Sequence, residues 1–239
     1  MVENNSGNDL KVEVLPEDYS NYDLSFKIIV IGDSGVGKSC LTMRATKNLF
    51  DNNYNATVGF EFFTFNTRIN NQVVKLQVWD TCGQEIYRSL ITNFYRNSSL
   101  AIMVYSIDNK ESFDNIDVWL KELKTHASPD AKVFVIGNKI DLDEKRKVTK
   151  ETADKYKNDY KLDYFTECSA KSGMNARDVF VEASKILYTD YLKYRDSRSS
   201  SIVSNSSSFR QKTVGDNKSN SVLEPSKMQN TPTKKKGCC

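Results

Sequence analysis

The fold is decided by residues 26–39, which read Phe-Lys-Ile-Ile-Val-Ile-Gly-Asp-Ser-Gly-Val-Gly-Lys-Ser. The first six form a short apolar run that ends at Gly32, as a strand buried on both faces of a parallel sheet does. The remaining eight fit the pattern G-x-x-x-x-G-K-[ST], and a segment of helical period follows. This order predicts a loop whose backbone N–H groups hold phosphate beside the positive end of a helix.

Within this loop, Lys38 is expected to reach the β- and γ-phosphates of a nucleotide, and the Ser39 hydroxyl to ligate Mg²⁺. The alternative is a glycine-rich turn with a surface lysine, which the strand–loop–helix context disfavours. The nucleotide-binding residues predicted here are Gly32, Asp33, Ser34, Gly35, Val36, Gly37, Lys38, Ser39 and Cys40.

Outward from the loop, apolar runs alternate with segments of helical period. Further strands are predicted at residues 75–79, 100–105, 132–136 and 164–168, and helices at 38–47, 85–95, 112–124, 150–160 and 176–194. Residues 60–70 and 73–78 indicate an antiparallel hairpin at the edge of the sheet. The pattern predicts a three-layer α/β fold with a mostly parallel six-stranded sheet, one antiparallel edge strand and about five helices.

Charge and composition divide the chain into three parts. The 239 residues carry a formal net charge of only +3, but the first part is mainly acidic and the end is basic. We predict a flexible acidic arm at 1–24, a nucleotide-binding domain at 25–194 and a disordered basic tail at 195–239. No apolar run is long enough to span a membrane, and the five cysteines lack metal-ligand spacing, which indicates a reducing compartment.

The base is expected to be recognised by residues 137–141, Gly-Asn-Lys-Ile-Asp, at the end of another predicted strand. The Asp141 carboxylate can accept from the ring N–H and the exocyclic amine of guanine, whereas adenine offers no amine there. Asn138 and Lys139 would hold the ring from its other side. The segment Ser169, Ala170, Lys171 would add the Ala170 N–H for the guanine carbonyl oxygen. The prediction is guanine rather than adenine, although N-K-x-D alone could be a solvated strand end.

Two segments could sense the γ-phosphate. Asp80 would hold Mg²⁺ through water, the Gly83 N–H would bond the γ-phosphate, and Gln84 would be the catalytic residue that orients the attacking water. The Thr57 hydroxyl would close over the metal. Loss of the γ-phosphate would remove the bonds of Thr57 and Gly83 and relax both segments.

Together these motifs, in this order, resemble the Ras-like small GTPases over about residues 25–194. The segments at 58–62, 75–81, 84–89 and 94–97 and the Cys-Cys ending are similar to the Rab family in particular. The resemblance implies a P-loop NTPase fold of the small G-protein type, GTP and GDP as ligands, Mg²⁺ as cofactor and a role in vesicle traffic. It also implies slow intrinsic GTP hydrolysis that a GTPase-activating protein stimulates.

The same resemblance implies that Phe50 stacks near the guanine and that an effector surface includes Val58, Gly59, Phe60, Glu61, Phe62, Trp79 and Tyr87. Three of these aromatic residues, Phe62, Trp79 and Tyr87, would report the state of the switch, or else be ordinary core residues. The implied partners are an exchange factor, a GTPase-activating protein, effectors, an escort protein with its prenyltransferase, and a GDP-dissociation inhibitor. No nucleic-acid partner is expected.

The chain ends in Lys-Lys-Lys-Gly-Cys-Cys, residues 234–239. Rab-like proteins with this ending carry geranylgeranyl groups on both cysteines, so lipidation is expected at Cys238 and Cys239. Two lipid chains anchor a protein stably where one is marginal, and lysines favour an anionic leaflet. The expected location is the cytoplasmic face of an intracellular membrane, with a cytosolic pool. The alternative is a solvated charge run with an incidental thiol pair.

Two positions depart from the Rab pattern, since Cys82 stands where alanine is usual and Ile86 where arginine is usual. A displaced Gln84 could slow hydrolysis greatly, which leaves open a GTP-binding module that scarcely hydrolyses its ligand. A second alternative is a P-loop phosphotransferase that uses ATP.

Overall fold

The structure, a computed structural model, describes residues 10–52, 57, 59–83 and 93–207, with side chains as far as residue 197. The strands of the described part are β1 Val12–Leu15, β2 Leu24–Ile31, β3 Phe60–Ile69, β4 Gln72–Thr81, β5 Leu100–Ser106, β6 Lys132–Asn138 and β7 Tyr164–Glu167. Its α-helices are α1 Lys38–Lys47, α2 Lys110–Asp114, α3 Ile116–His126, α4 Lys150–Asp159 and α5 Ala176–Ser207, and a 3-10 helix spans Ile140–Lys145.

All seven strands form one sheet in the order β1-β3-β4-β2-β5-β6-β7. Strands β4, β2, β5, β6 and β7 run parallel, whereas β3 is antiparallel to both of its neighbours. The predicted hairpin is therefore confirmed as β3–β4. Its turn places Asn70 and Asn71 at positive φ (48° and 66°), as a tight hairpin turn requires.

The seventh strand corrects the prediction of six strands and of a flexible arm over residues 1–24. Strand β1 lies inside that arm and pairs with β3. Val12 and Val14 pack against the hydrophobic core, and this apolar alternation stabilises the strand. The pattern was too short, within an acidic segment, to stand out from the sequence.

Hydrophobic side chains fill both faces of the sheet, as the uninterrupted apolar runs predict. On β2, Ile28 and Val30 belong to the cluster that α1 and α5 cover, while Ile29 and Ile31 belong to the opposite cluster beneath α2 and α3. All four side chains are fully buried. The three-layer α/β architecture is thereby confirmed.

Two helical predictions change in the structure. The helix expected at 112–124 is divided at Asn115 into α2 and α3. Helix α5 continues to Ser207, beyond the expected start of the disordered tail at residue 195, because neither glycine nor proline interrupts this stretch. Most of the helix expected at 85–95 lies outside the described residues. The part that is described, 93–95, is helical.

The chain divides into two compact units, Met1–Asp196 and Ser197–Cys239. The first unit contains the sheet, and of the second only the continuation of α5 is described. Among the described residues, no helix is both long enough and apolar enough to cross a bilayer.

Candidate nucleotide site

A cavity of about 450 Å³ opens at the carboxyl ends of β2, β4 and β6, beside the start of α1. This size suits a small-molecule ligand. Its walls include these predicted residues: Ser34, Gly35, Gly37, Lys38, Ser39, Cys40, Phe50, Thr57, Gly83, Asn138, Lys139, Asp141, Ala170 and Lys171. The lining residues that sequence reasoning missed are Asp51, Asn52, Thr81 and Leu142, and Cys82, noted there only as a departure from the Rab pattern, also lines the cavity. The residues predicted to bind nucleotide or metal that do not line the cavity are Gly32, Asp33, Val36, Asp80 and Ser169.

The glycines of the phosphate loop are required by close approaches as well as by backbone conformation. A Cβ on Gly32, at φ 139°, would collide with the carbonyl oxygen of Val104. A Cβ on Gly37, at φ 94°, would lie 2.5 Å from Asn138 Nδ2. The loop is therefore fitted against the ends of β5 and β6, and a side chain at either position would displace it.

Lys38 is almost fully buried beneath the loop. Its ammonium group donates to the carbonyl oxygens of Gly32 and Asp33, both at 2.8 Å. Burial lowers the pKa of Lys38 to about 8, although the nearby carboxylates of Asp80 and Asp33 act in the opposite direction. A phosphate group beside this ammonium would offset the cost of burying its charge.

Three oxygen-bearing side chains from different elements meet beside Lys38. Ser39 Oγ lies 2.7 Å from Thr57 Oγ1 and donates to Asp80 Oδ2. The other carboxylate oxygen of Asp80, Oδ1, is buried and has no hydrogen-bond partner in the described part of the chain. Burial raises the pKa of Asp80 to about 7, while the Ser39 hydrogen bond and the charge of Lys38 oppose this rise. A cation at the unpartnered oxygen would favour the ionised carboxylate.

The Asp33 side chain points away from the cavity and fastens the phosphate loop to the start of α3. Its Oδ2 accepts from Asn115 Nδ2 at 2.7 Å, and its Oδ1 accepts from Trp119 Nε1 at 2.9 Å. The structure therefore gives the Asp33 side chain a positioning role rather than a place in the predicted wall.

Asn138 joins three loops at the end of the site where base recognition is predicted. Its Nδ2 donates to Val36 O at 2.9 Å, and its Oδ1 accepts the Ala170 N–H at 3.1 Å. The sequence assigned that N–H to the guanine carbonyl oxygen, whereas the structure pairs it with Asn138. Lys139, at φ 70°, reaches back over the phosphate loop and donates from Nζ to Gly35 O at 2.6 Å.

Asp141 faces the cavity from the 3-10 helix and accepts a hydrogen bond from Ser169 Oγ at 2.5 Å. Ser169 is fully buried and positions this carboxylate from behind. Arg44 on α1, which the sequence did not single out, holds the adjoining segment by donating to Ala170 O at 2.8 Å and to Lys171 O at 2.9 Å.

Aromatic side chains form a surface cluster on β3 and β4. It lies next to the switch segments, the two segments around Thr57 and Gly83 that could sense the γ-phosphate. Phe62 packs edge-on to Trp79 with ring centroids 5.1 Å apart, and Phe60 and Phe94 join them. Phe60 and Phe62 remain 47% and 50% exposed, so neither is an ordinary core residue. Gly59 and Glu61 flank Phe60 in the chain. Phe94 was missing from the predicted set.

Several predicted residues lie outside the described part of the chain, so their placement stays a prediction. They are Gln84, predicted to be catalytic, the predicted effector residues Val58 and Tyr87, the departure from the Rab pattern at Ile86, and the predicted lipidation sites Cys238 and Cys239.

Comparisons with known proteins agree with this geometry. A model of the Ras family matches residues 27–189. The Ras-related protein Rab-8B of Bos taurus is 41% identical over 180 residues, which cover 75% of this chain and 86% of that protein. The Ras-related protein Rab-13 of Mesocricetus auratus is 44% identical over 159 residues, which cover 66% of this chain and 78% of that protein. The chain therefore belongs to the Rab family of Ras-like small GTPases and is a GTPase that alternates between GTP- and GDP-bound states in membrane traffic.

Proposed function

We propose that the cavity holds the guanine nucleotide together with Mg²⁺, with Ser39, Thr57 and Asp80 as the metal-binding side chains. The observation that carries this proposal is the meeting of these three side chains, in which one Asp80 oxygen accepts from Ser39 and the other is buried with no hydrogen-bond partner among the described residues. Mg²⁺ takes oxygen ligands, so the donor set fits the metal. Bound Mg²⁺ supplies positive charge that neutralises phosphate oxygens. Chelation of divalent metal is expected to accelerate GDP release, measured with a fluorescent GDP analogue.

The phosphates are proposed to take the hydrogen bonds that Lys38 now gives to Gly32 O and Asp33 O. Gly83 lies so close to the phosphate loop that a Cβ there would overlap the backbone of Asp33 and Ser34. This close approach supports the proposed sensing of the γ-phosphate by Gly83. The segment that carries Gln84 thus begins in contact with the phosphate loop. From there Gln84 is proposed to orient the attacking water.

Guanine is proposed to be selected by Asp141, with Asn138 and Lys139 beside the ring and Phe50 at the wall of the cavity. Asp141→Asn provides the test, because an asparagine amide can donate to the extra carbonyl of xanthine. We expect this variant to lose GDP affinity and to gain affinity for xanthosine diphosphate. The matched control is Asp143→Asn in the same 3-10 helix, whose carboxylate pairs with Arg146 at 2.7 Å and does not line the cavity. Unchanged base preference in Asp141→Asn would contradict the proposed role.

Family membership gives no support to the ATP-phosphotransferase alternative or to the alternative of defective hydrolysis. Cys82 is buried, and its N–H donates to Gly59 O at 3.0 Å, so it fits between the two switch segments. We expect single-turnover hydrolysis on the order of 10⁻⁴ to 10⁻³ per second, as is usual for an unstimulated small GTPase. A much lower wild-type rate that Cys82→Ala restores would favour the alternative instead.

The exposed aromatic cluster is proposed as the effector surface, together with Val58, Gly59, Glu61 and Tyr87. Its support is the exposure of Phe60 and Phe62 beside the segments that the γ-phosphate would order. Exchange factors, GTPase-activating proteins and effectors are expected partners of a Rab protein. Involvement of an escort protein with its prenyltransferase and of a GDP-dissociation inhibitor is proposed in addition. Partner capture on GTP-loaded and GDP-loaded protein, compared for wild type and Phe62→Ala, tests the surface.

The GTP-binding domain is proposed to include β1 and to continue to the end of its sheet and helices, and the residues that follow α5, 208–239, are proposed as the tether to a membrane. Geranylgeranyl groups on Cys238 and Cys239 would hold the protein at the cytoplasmic face of an intracellular membrane, in exchange with a cytosolic pool. The intact mass of protein from a eukaryotic host should show two isoprenoid additions. The double variant Cys238→Ser with Cys239→Ser should show none. An unmodified wild-type mass would overturn this part of the proposal.

A further inference from the structure

Lys27, on the strand that precedes the phosphate loop, extends its side chain toward the exposed aromatic cluster. Its Nζ lies 5.7 Å from the centroid of the Trp79 ring and 5.9 Å from the centroid of the Phe94 ring. Both distances are within the range of cation–π attraction, which extends to about 6 Å. The ammonium group therefore contacts two of the four rings of the cluster.

Lys27 also holds the backbone of the segment that carries Phe94. Its Nζ donates to Arg96 O at 2.9 Å, and its carbonyl oxygen accepts from the Ser99 N–H at 2.8 Å. Burial lowers the pKa of Lys27, and the ring faces and the Arg96 carbonyl oxygen replace part of the water around its ammonium group. One residue of β2 thus contacts residues 93–99 through both its side chain and its backbone.

Residues 93–99 form the far end of the stretch that begins at Gly83. The near end contacts the phosphate loop, because a Cβ on Gly83 would overlap its backbone. The far end contacts Lys27. Gln84 lies between these two contacts in the sequence, so a change that begins at the phosphate loop has Lys27 at its other boundary.

We propose that Lys27 is a positioning residue of the switch: it holds residues 93–99 and the Phe94 ring against the aromatic cluster, so that this surface follows the bound nucleotide. The proposal rests on the proposed sensing of the γ-phosphate and on the proposed effector surface. The Phe94 ring centroid lies 4.6 Å from that of Phe60 and 5.2 Å from that of Trp79. Lys27 does not line the nucleotide cavity and acts through these rings.

The fold does not depend on the Lys27 ammonium group. Tyr95, in the same segment, is fully buried in the cluster of core residues that α3 covers. The pairing of β2 with β4 and β5 uses its backbone. Lys27→Met keeps a long unbranched side chain and removes the charge, so its GDP affinity should stay within about twofold of the wild-type value.

The two tryptophans of the chain allow a test that needs no partner protein. Trp79 lies in the aromatic cluster, whereas Trp119 is buried and donates to Asp33. Fluorine NMR of full-length protein labelled with fluorotryptophan gives a resonance for each, which Trp79→Phe assigns. The wild-type Trp79 resonance should differ between protein loaded with GDP and protein loaded with a non-hydrolysable GTP analogue. In Lys27→Met this difference should fall by about threefold or more, while the Trp119 resonance stays as in wild type.

Lys75→Met is the matched control, because Lys75 Nζ lies 4.6 Å from the centroid of the Tyr22 ring, outside the aromatic cluster. It should keep the wild-type Trp79 difference. Lys27→Arg keeps the charge and can donate to Arg96 O, so it should restore most of that difference. The proposal is overturned if Lys27→Met keeps the full difference or if Lys75→Met loses it as well. Lys27→Gln carries the same expectations should Lys27→Met fail to retain GDP.

Failure of the effector surface would give a different result. Phe62→Ala would then retain the partners of GTP-loaded wild-type protein, whereas the Trp79 difference and its decrease in Lys27→Met would stand. A wild-type Trp79 resonance that is the same in both loaded forms overturns the role of Lys27, whichever partners are retained.

Discussion

Replacing Arg44 with alanine should weaken nucleotide binding, although Arg44 does not line the cavity. Its guanidinium fastens the segment 169–171 to α1 through Ala170 O at 2.8 Å and Lys171 O at 2.9 Å. The same group donates to Asn48 O at 3.1 Å. Without Arg44 this segment is held less firmly, and the incoming nucleotide must restore its position.

The size of the effect follows from these two carbonyl bonds. A hydrogen bond from a charged donor contributes about 1.5–3 kcal/mol, and the exposed bond to Lys171 contributes less than the part-buried bond to Ala170. A total of about 2 kcal/mol corresponds to about a 30-fold loss of GDP affinity. Most of that loss should appear as faster release, because affinity changes in related complexes lie mainly in the dissociation rate.

The assay is stopped-flow release of a fluorescent GDP analogue into excess unlabelled GDP. Arg44→Lys keeps the charge but lacks the planar fork, so an intermediate rate is expected. Lys47→Ala, on the same helix, removes a partly exposed ion pair with Glu17, whose atoms are 3.9 Å apart. It should leave the GDP release rate within about twofold of the wild-type rate. The reasoning is refuted if Arg44→Ala releases GDP no faster than Lys47→Ala does.

Three further substitutions test contacts around the site. Asp33→Ala removes the acceptor of the Trp119 and Asn115 hydrogen bonds. In urea titrations of the GDP-bound protein it should lower the free energy of unfolding by about 2–4 kcal/mol, and Asp33→Asn should lower it less. Gly83→Ala places a methyl group against the phosphate-loop backbone and should weaken GTP binding more than GDP binding in fluorescence titrations. Arg146→Ala leaves a largely buried Glu167 carboxylate without its bidentate partner and should destabilise the fold by about 3 kcal/mol in the same urea titration; equal stability of variant and wild type would contradict this.

The parts of the site that could be predicted are those encoded within short segments. The phosphate loop directly follows a buried strand, and Asp80 and Asn138 also lie at the ends of buried strands. Parallel strands with right-handed crossovers bring such ends together at one edge of the sheet. Local pattern and general topology were therefore sufficient to assemble most of the cavity wall.

The supporting contacts could not be predicted in this way, because they join residues far apart in the chain. Arg44 meets Ala170 across 126 positions, and Trp119 meets Asp33 across 86. Neither side chain belongs to a motif, and helical spacing assigns them only to a helix face. The strand β1 was missed for a related reason, since four residues acquire a sheet partner only once β3 is in place.

The contacts of Asn138 and Lys139 imply that phosphate binding and base recognition are not separate properties of this site. Asn138 donates to Val36 O of the phosphate loop and accepts from the Ala170 N–H of segment 169–171, the guanine-side segment. Lys139 makes a second link to the phosphate loop at Gly35 O. Neighbours in one hydrogen-bond network are not additive, so the effects of Asn138→Ala and Arg44→Ala on GDP release should be coupled in a double-mutant cycle. Asn138→Ala should release the phosphate loop and the guanine-side segment together, and Arg44→Ala should then add less than it does in the wild-type protein.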